Sequence, residues 1–168
     1  YDSCNSILES ALALSKAQND TFYRAAIYIN LGASYYEAKL FKRASNCYYE
    51  ALLSPNLTAK HQQILVPNLM VFLNHEKKYA ETLRFYERYK NKIDVPHIQE
   101  DLNELISILL CYAHIENNST KNQYLFHLKA AEQNGILAEN EDLYLRTKFA
   151  QFKRENHIDS CAALYLKS

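Results

Sequence analysis

Tyr28-Ile29-Asn30-Leu31-Gly32-Ala33-Ser34-Tyr35-Tyr36, YINLGASYY, holds one of only two glycines in 168 residues. The stretch otherwise reads as a buried, aromatic-rich helix. Mid-helix glycine costs about 1 kcal/mol relative to alanine, so something packed against it must need the missing side chain. Identifying that neighbour decides the fold.

Two glycines and three prolines leave few turn formers. Sheets and hairpins need such residues, so their scarcity points to long helices with short polar joints. The fold class expected is all-α. Predicted helices lie near 2–16, 20–38, 41–53, 59–75, 79–92, 96–116, 121–134, 139–155 and 158–167. The polar run Gln18-Asn19-Asp20-Thr21 reads as a cap just before Phe22. Asn134-Gly135 reads as a helix end using glycine in the left-handed region.

Nineteen Lys plus Arg offset nineteen Asp plus Glu. No excess field invites nucleic acid or an acidic membrane. At 48% hydrophobic residues the chain is ordered and of single-domain length. No apolar run approaches the roughly 18 residues of a membrane span, and no signal peptide opens the sequence. Tyr1 stands where an initiator methionine would, so the chain reads as a piece of a longer protein.

Self-similarity radiates from the glycine. Tyr28, Leu31, Gly32, Tyr35, Phe41, Ala44, Tyr48 and Ala51 recur 38 residues later as Val66, Leu69, Met70, Leu73, Tyr79, Thr82, Tyr86 and Tyr89. The second half of this unit also opens the chain at 1–11 and closes it at 158–165. Its copies start at 1, 41, 79 and 158, and a further copy falls due near Ser119 or Thr120, ahead of Tyr124–Ala131.

The unit resembles the tetratricopeptide repeat, a helix-turn-helix of about 34 residues with the pattern W-x2-L-G-x2-Y…A-x3-F…P. Tyr28 takes the tryptophan place, and Leu31, Gly32 and Tyr35 match outright. Ala44 is the small residue, Tyr48 stands for phenylalanine and Pro55 closes the unit. The likeness is fullest over 25–58 and good over 63–92, where Pro67 is expected to kink or shorten the first helix. It is loose over 96–134 and partial over 142–168, where Lys148 and Phe149 replace the Leu-Gly pair.

The resemblance implies a right-handed superhelical solenoid of antiparallel helix pairs in one domain spanning 1–168. It comprises about four and a half repeats: a half repeat at 1–16, then repeats at about 20–58, 59–95, 96–136 and 137–168. It also implies that Gly32 meets Ala44 where the two helices cross. Cys4 and Cys161 take the same small slot as Ala44.

Protein or peptide binding on a concave face is the function the resemblance implies. The first helices of each pair would line that face with Ile29, Asn30, Ala33, Tyr36 and Glu37, followed by Val71, Asn74 and His75. Asn30 and Asn68 share one slot. In some family members, asparagines there form a ladder on the backbone of an extended peptide, since an amide both donates and accepts. Asparagine is also simply common at this slot, and both readings stand. Repeats slightly over length resemble those of bacterial signalling and regulatory proteins, which implies a sensing or scaffold segment.

Chemistry is weak elsewhere. The six histidines show no metal-ligand spacing, and no glycine-rich phosphate loop exists, so neither an enzyme nor a cofactor is expected. The alternatives are a small helical enzyme centred on Cys111 and His114, one turn apart, and an RNA-binding helical repeat. Lys148, Lys153 and Arg154 form a local basic end, read as a solvated face. Cys4, Cys47, Cys111 and Cys161 form no CxxC pair and read as buried free thiols, leaning towards the cytoplasm. A membrane-tethered regulator would instead place the segment in the periplasm.

Overall fold

The structure, a computed structural model, describes residues 2–93, 100–133 and 135–157. Among these the protein is all-α, with eight helices and no strand. They are α1 (Asp2–Ala17), α2 (Arg24–Glu37), α3 (Phe41–Leu52), α4 (Ala59–His75), α5 (Tyr79–Tyr89), α6 (Glu100–Glu116), α7 (Lys121–Gln133) and α8 (Glu141–Arg154). A 3-10 turn, Ala138–Asn140, leads into α8. Tyr1, the joint at Pro96, Asn134 and the copy at 158–168 with Cys161 lie outside the described residues. None of the described helices is long and apolar enough to cross a membrane.

Residues 2–72 and 89–93 gather into one compact unit, and 73–88 with the described residues from 100 onward into another. In the first, α2 packs on α1 and on α3. It is accordingly buried on more than one side, through Ala25, Tyr28, Ile29, Leu31, Gly32 and Tyr35. The stripe that α3 turns inward is Ala44, Ser45, Tyr48 and Ala51, at helical spacing.

The glycine's neighbour is Tyr48. A Cβ placed on Gly32 would lie 2.5 Å from ring atom Cε1 and 2.6 Å from Cδ1. The expected Gly32–Ala44 crossing is therefore corrected by one turn of α3. Ala44 and Tyr48 share the α3 stripe, but it is the Tyr48 ring that fills the space over the glycine. Ala44 remains fully buried beside it. Cys4 departs from expectation as well. It is exposed in the first turn of α1, while the covered face of that helix runs through Leu8, Ala11, Leu12 and Ser15.

In the second unit, α6 packs on α7 and on α8. Cys111 and Ile115 of α6 meet Tyr124 and Leu128 of α7 in a core that Leu125, Tyr144 and Ala150 flank. Two polar clasps complete it. Glu104, 1% exposed, accepts hydrogen bonds from the Leu137 N–H and the Asn140 side-chain amide, both at 3.0 Å, fixing the approach to α8. At the other end of α8, the Arg154 guanidinium donates to the carbonyls of His114 (3.3 Å), Ile115 (3.0 Å) and Ser119. It gives a second donor to the His114 and Ile115 carbonyls, which the backbone N–H groups of Ser119 and Asn118 also engage at the C-terminus of α6. Arg154 is thus a structural cation and not part of a solvated face.

Five of the helix ends share one geometry. Asn19, Lys39, Lys77, Asn118 and Asn156 all adopt positive φ, between 51° and 61°. At each, the residue's own N–H bonds the carbonyl three back, and the following N–H bonds the carbonyl five back. This is the paired closure of a Schellman motif. Four of the closures, at 39, 77, 118 and 156, are spaced 38, 41 and 38 residues apart. Gly135 is also left-handed, at φ +76°, as expected.

Two boundaries differ from expectation. α2 starts at Arg24, because the Asp20 carboxylate accepts the Phe22 N–H at 2.8 Å and folds 20–22 into a turn instead of capping a helix. Pro67 does not shorten α4, which continues to His75. Leu65, Val66, Leu69 and Met70 are all fully buried around it, and that packing holds the helix across the missing N–H.

Gly32→Ala separates two opposed effects. Alanine is the better helix former by about 1 kcal/mol. The methyl group, however, would sit against a buried ring that has nowhere to go. A net loss on the order of 1–3 kcal/mol is expected in a urea titration, and a stabilised variant would overturn this packing. Lys39→Gly and Lys77→Gly are expected to act oppositely. Each should stabilise by roughly 0.5–1 kcal/mol, the left-handed strain relieved less the chain entropy glycine loses. Lys→Ala at the same positions should give no such gain.

Candidate functional site

The outer face of α2 is the site's first wall. Asn30, Ala33, Tyr36 and Glu37 are exposed, at the i, i+3, i+6 and i+7 positions of one stripe. Ile29, expected beside them, is instead only 9% exposed and belongs to the core. Tyr36 is 40% exposed, yet its ring is held edge-on by Phe41 (centroids 5.6 Å apart) and by Phe72 of α4 (5.9 Å). Phe72 also touches Tyr48 at 5.9 Å, which ties this outer aromatic group to the ring that covers Gly32.

The second part of the expected face lies on the α4 stripe Ile64, Asn68 and Val71, at i, i+4 and i+7. Ile64 is exposed and the other two are half-buried. Asn68 donates one amide hydrogen to the Ile64 carbonyl at 2.8 Å, which ties its side chain to its own helix. Asn30 and Asn68 therefore differ: the first stands out from α2, and the second lies along α4.

Asn74 leaves the expected set. It is 7% exposed and sits in the second unit, donating to the Leu109 carbonyl at 3.0 Å and accepting from the Thr82 hydroxyl at 2.8 Å. With donor and acceptor both engaged, this amide is core structure and not a peptide contact. His75, at the end of α4, is exposed.

Burial disfavours the chemistry that the alternative reading would need from Cys111. The thiol is fully buried at the centre of the second unit's core, and burial pushes its pKa up to about 12, with Lys148 opposing and Glu132 adding. At neutral pH such a thiol is protonated and is no nucleophile. His114 uses its Nδ1 on the Ser119 hydroxyl at 2.9 Å. Its ring face lies on His127, with centroids 5.3 Å apart and planes within 11°.

That stack lines a pocket of about 400 Å³ with Glu87, Asn122, Gln123 and Phe126. Sequence spacing did not point to it, because His114 and His127 meet only through the packing of α6 on α7. Among the described residues, no three His, Cys, Asp or Glu side chains are grouped to hold a metal ion. Lys148, read from sequence as part of a solvated basic end, pairs with Glu132 at 3.4 Å and lies over the Phe152 ring.

Cys4, Cys47 and Cys111 are free thiols of graded exposure. In native protein, alkylation mapped by peptide mass should mark Cys4 first, Cys47 slowly, and Cys111 only at the rate of unfolding. Labelling of Cys111 as fast as Cys4 would mean the second unit's core is open. Compared with protein-family models, curated proteins and solved structures, the chain matches none of them.

Proposed function

We propose that the chain is a protein- or peptide-binding scaffold of tetratricopeptide type. In this reading the helices form a right-handed solenoid of antiparallel pairs and serve as the interaction or sensing segment of a larger bacterial regulatory protein. The observation that carries the reading is the outward face of the first unit. There Asn30, Ala33 and Tyr36 stand exposed on α2, α4 carries exposed Ile64 with half-buried Asn68 and Val71, and Tyr36 and Phe72 are in ring contact between the two helices. A pre-ordered aromatic ring flanked by amides suits an extended chain. The ring offers apolar area without losing side-chain freedom on binding, and amides serve backbone groups of any sequence.

Three further observations support the repeat. The helix closures at 39, 77, 118 and 156 keep the spacing of the sequence pattern. Ala44 and Thr82, which occupy one slot 38 residues apart, are both fully buried. Gly32 carries a ring from the second helix of its pair. The enzyme reading centred on Cys111 lacks its thiolate. The RNA reading loses two cations of its basic end, since Arg154 caps α6 and Lys148 pairs with Glu132.

The Asn30→Ala, Asn68→Ala double variant tests the face. Each amide contact carries about 0.5–1.5 kcal/mol of net binding. A ligand captured by pull-down and measured by calorimetry should therefore bind roughly tenfold more weakly, with thermal stability unchanged. Equal affinity would move binding to another surface.

A further inference from the structure

We propose that His114 and His127 are an acid-operated latch: with both rings protonated, α7 is driven from α6 at this point and the pocket they line opens. The proposal is independent of the binding face on α2 and α4.

The two rings come from different helices, and their stack is part of what holds α7 to α6. Neutral imidazoles tolerate a parallel arrangement at 5.3 Å. Two imidazolium ions at that distance repel, and partial burial weakens the screening that water would supply. His127 is further fixed by Phe126, whose ring meets it edge-on at 5.2 Å. His114 is fixed by the Ser119 hydroxyl. Neither ring can turn away from the other without giving up a contact.

The charges that face the stack set the order of protonation. From α5, the Glu87 carboxylate favours the charged form of both rings. From α8, the Arg154 guanidinium sits on the His114 carbonyl and adds a positive charge at that end. His114 also lies in the last turn of α6, where the helix dipole favours a cation. Arg154 opposes a proton at His114, but the helix end favours it and His127 bears the larger burial penalty. The first proton therefore goes to His114, where Glu87 offsets it and the stack survives. The second must go to His127, beside an existing cation.

Titration follows this geometry. Burial lowers the His114 pKa below its ordinary value, with Glu87 opposing. Burial first, and His114 second, lower His127 to about 4. The closed form thus binds protons less readily than an opened one, in which each ring returns to about 6.5. The stack stabilises fully above pH 6.5, and its contribution is lost as the pH falls from there towards 4.

The test is amide hydrogen exchange in the full chain at pH 7 and pH 4.5, corrected for intrinsic rates, in the wild type and in His127→Phe. Phenylalanine keeps a ring on His114 but takes no proton. Wild-type α7 should lose at least about tenfold more protection than α2 and α3 on acidification, and the variant should show no such excess. Equal loss across all helices, or an excess that persists in the variant, overturns the latch. If the variant fails to fold, imidazole proton resonances of the wild type decide. The lower histidine step must coincide with loss of α7 protection, and a step that leaves α7 protected rejects the proposal.

Discussion

Every helix ends with carbonyls that have no partner of their own, and this chain is organised around disposing of them. Five times among the described residues one left-handed residue does so, turning the backbone so that two N–H groups reach back into the last turn. That closure also reverses the chain, and three of the helix joints are only a few residues long because of it. At α6 the closure at Asn118 is reinforced from a distance by Arg154. The guanidinium makes the end of one helix depend on the presence of another.

Glycine is the usual residue for such a turn and takes it at Gly135, yet at these five ends the role falls to asparagine and lysine. Gly32 is placed where no other residue fits, beneath the Tyr48 ring. The buried polar groups obey the same economy of partners. Glu104 meets two donors, and Asn74 meets both a carbonyl and a hydroxyl. Each links segments far apart in the sequence. Leaving one of them unmatched in an apolar core would cost roughly 1–3 kcal/mol.

Where apolar spacing and joint chemistry coincide, the sequence was legible. The starts of α3, α4, α5 and α7 fall where periodicity placed them, and the slot shared by Ala44 and Thr82 is buried in both copies. Decisions made by rotation about a helix axis were not legible. Ala44 and Tyr48 lie on one stripe, and only the crossing geometry puts the ring over Gly32. Asn68 and Asn74 are two amides on one helix, and what sends the second inward is Thr82 and Leu109, one of them 35 residues away. The histidine stack had no signature either, since no spacing rule relates positions on two helices whose register is unknown. Asp20 resembled a cap because a cap and a turn use the same side chain.

Placing lysine at two of these reversals has a consequence for how the chain meets proteases. Lys39 and Lys77 are exposed, and a single residue separates each from the first residue of the next helix. A trypsin-like enzyme needs several residues in extended form, so the peptide bond after each lysine stays resistant while the closing hydrogen bonds hold. It becomes cleavable whenever the adjoining turn frays. The bonds most readily cut after local opening therefore lie between helices and not within them, at intervals set by the helix pairs. Digestion under native conditions would release the chain in pieces matching its own architecture, and the rate at each lysine would report how often that joint opens.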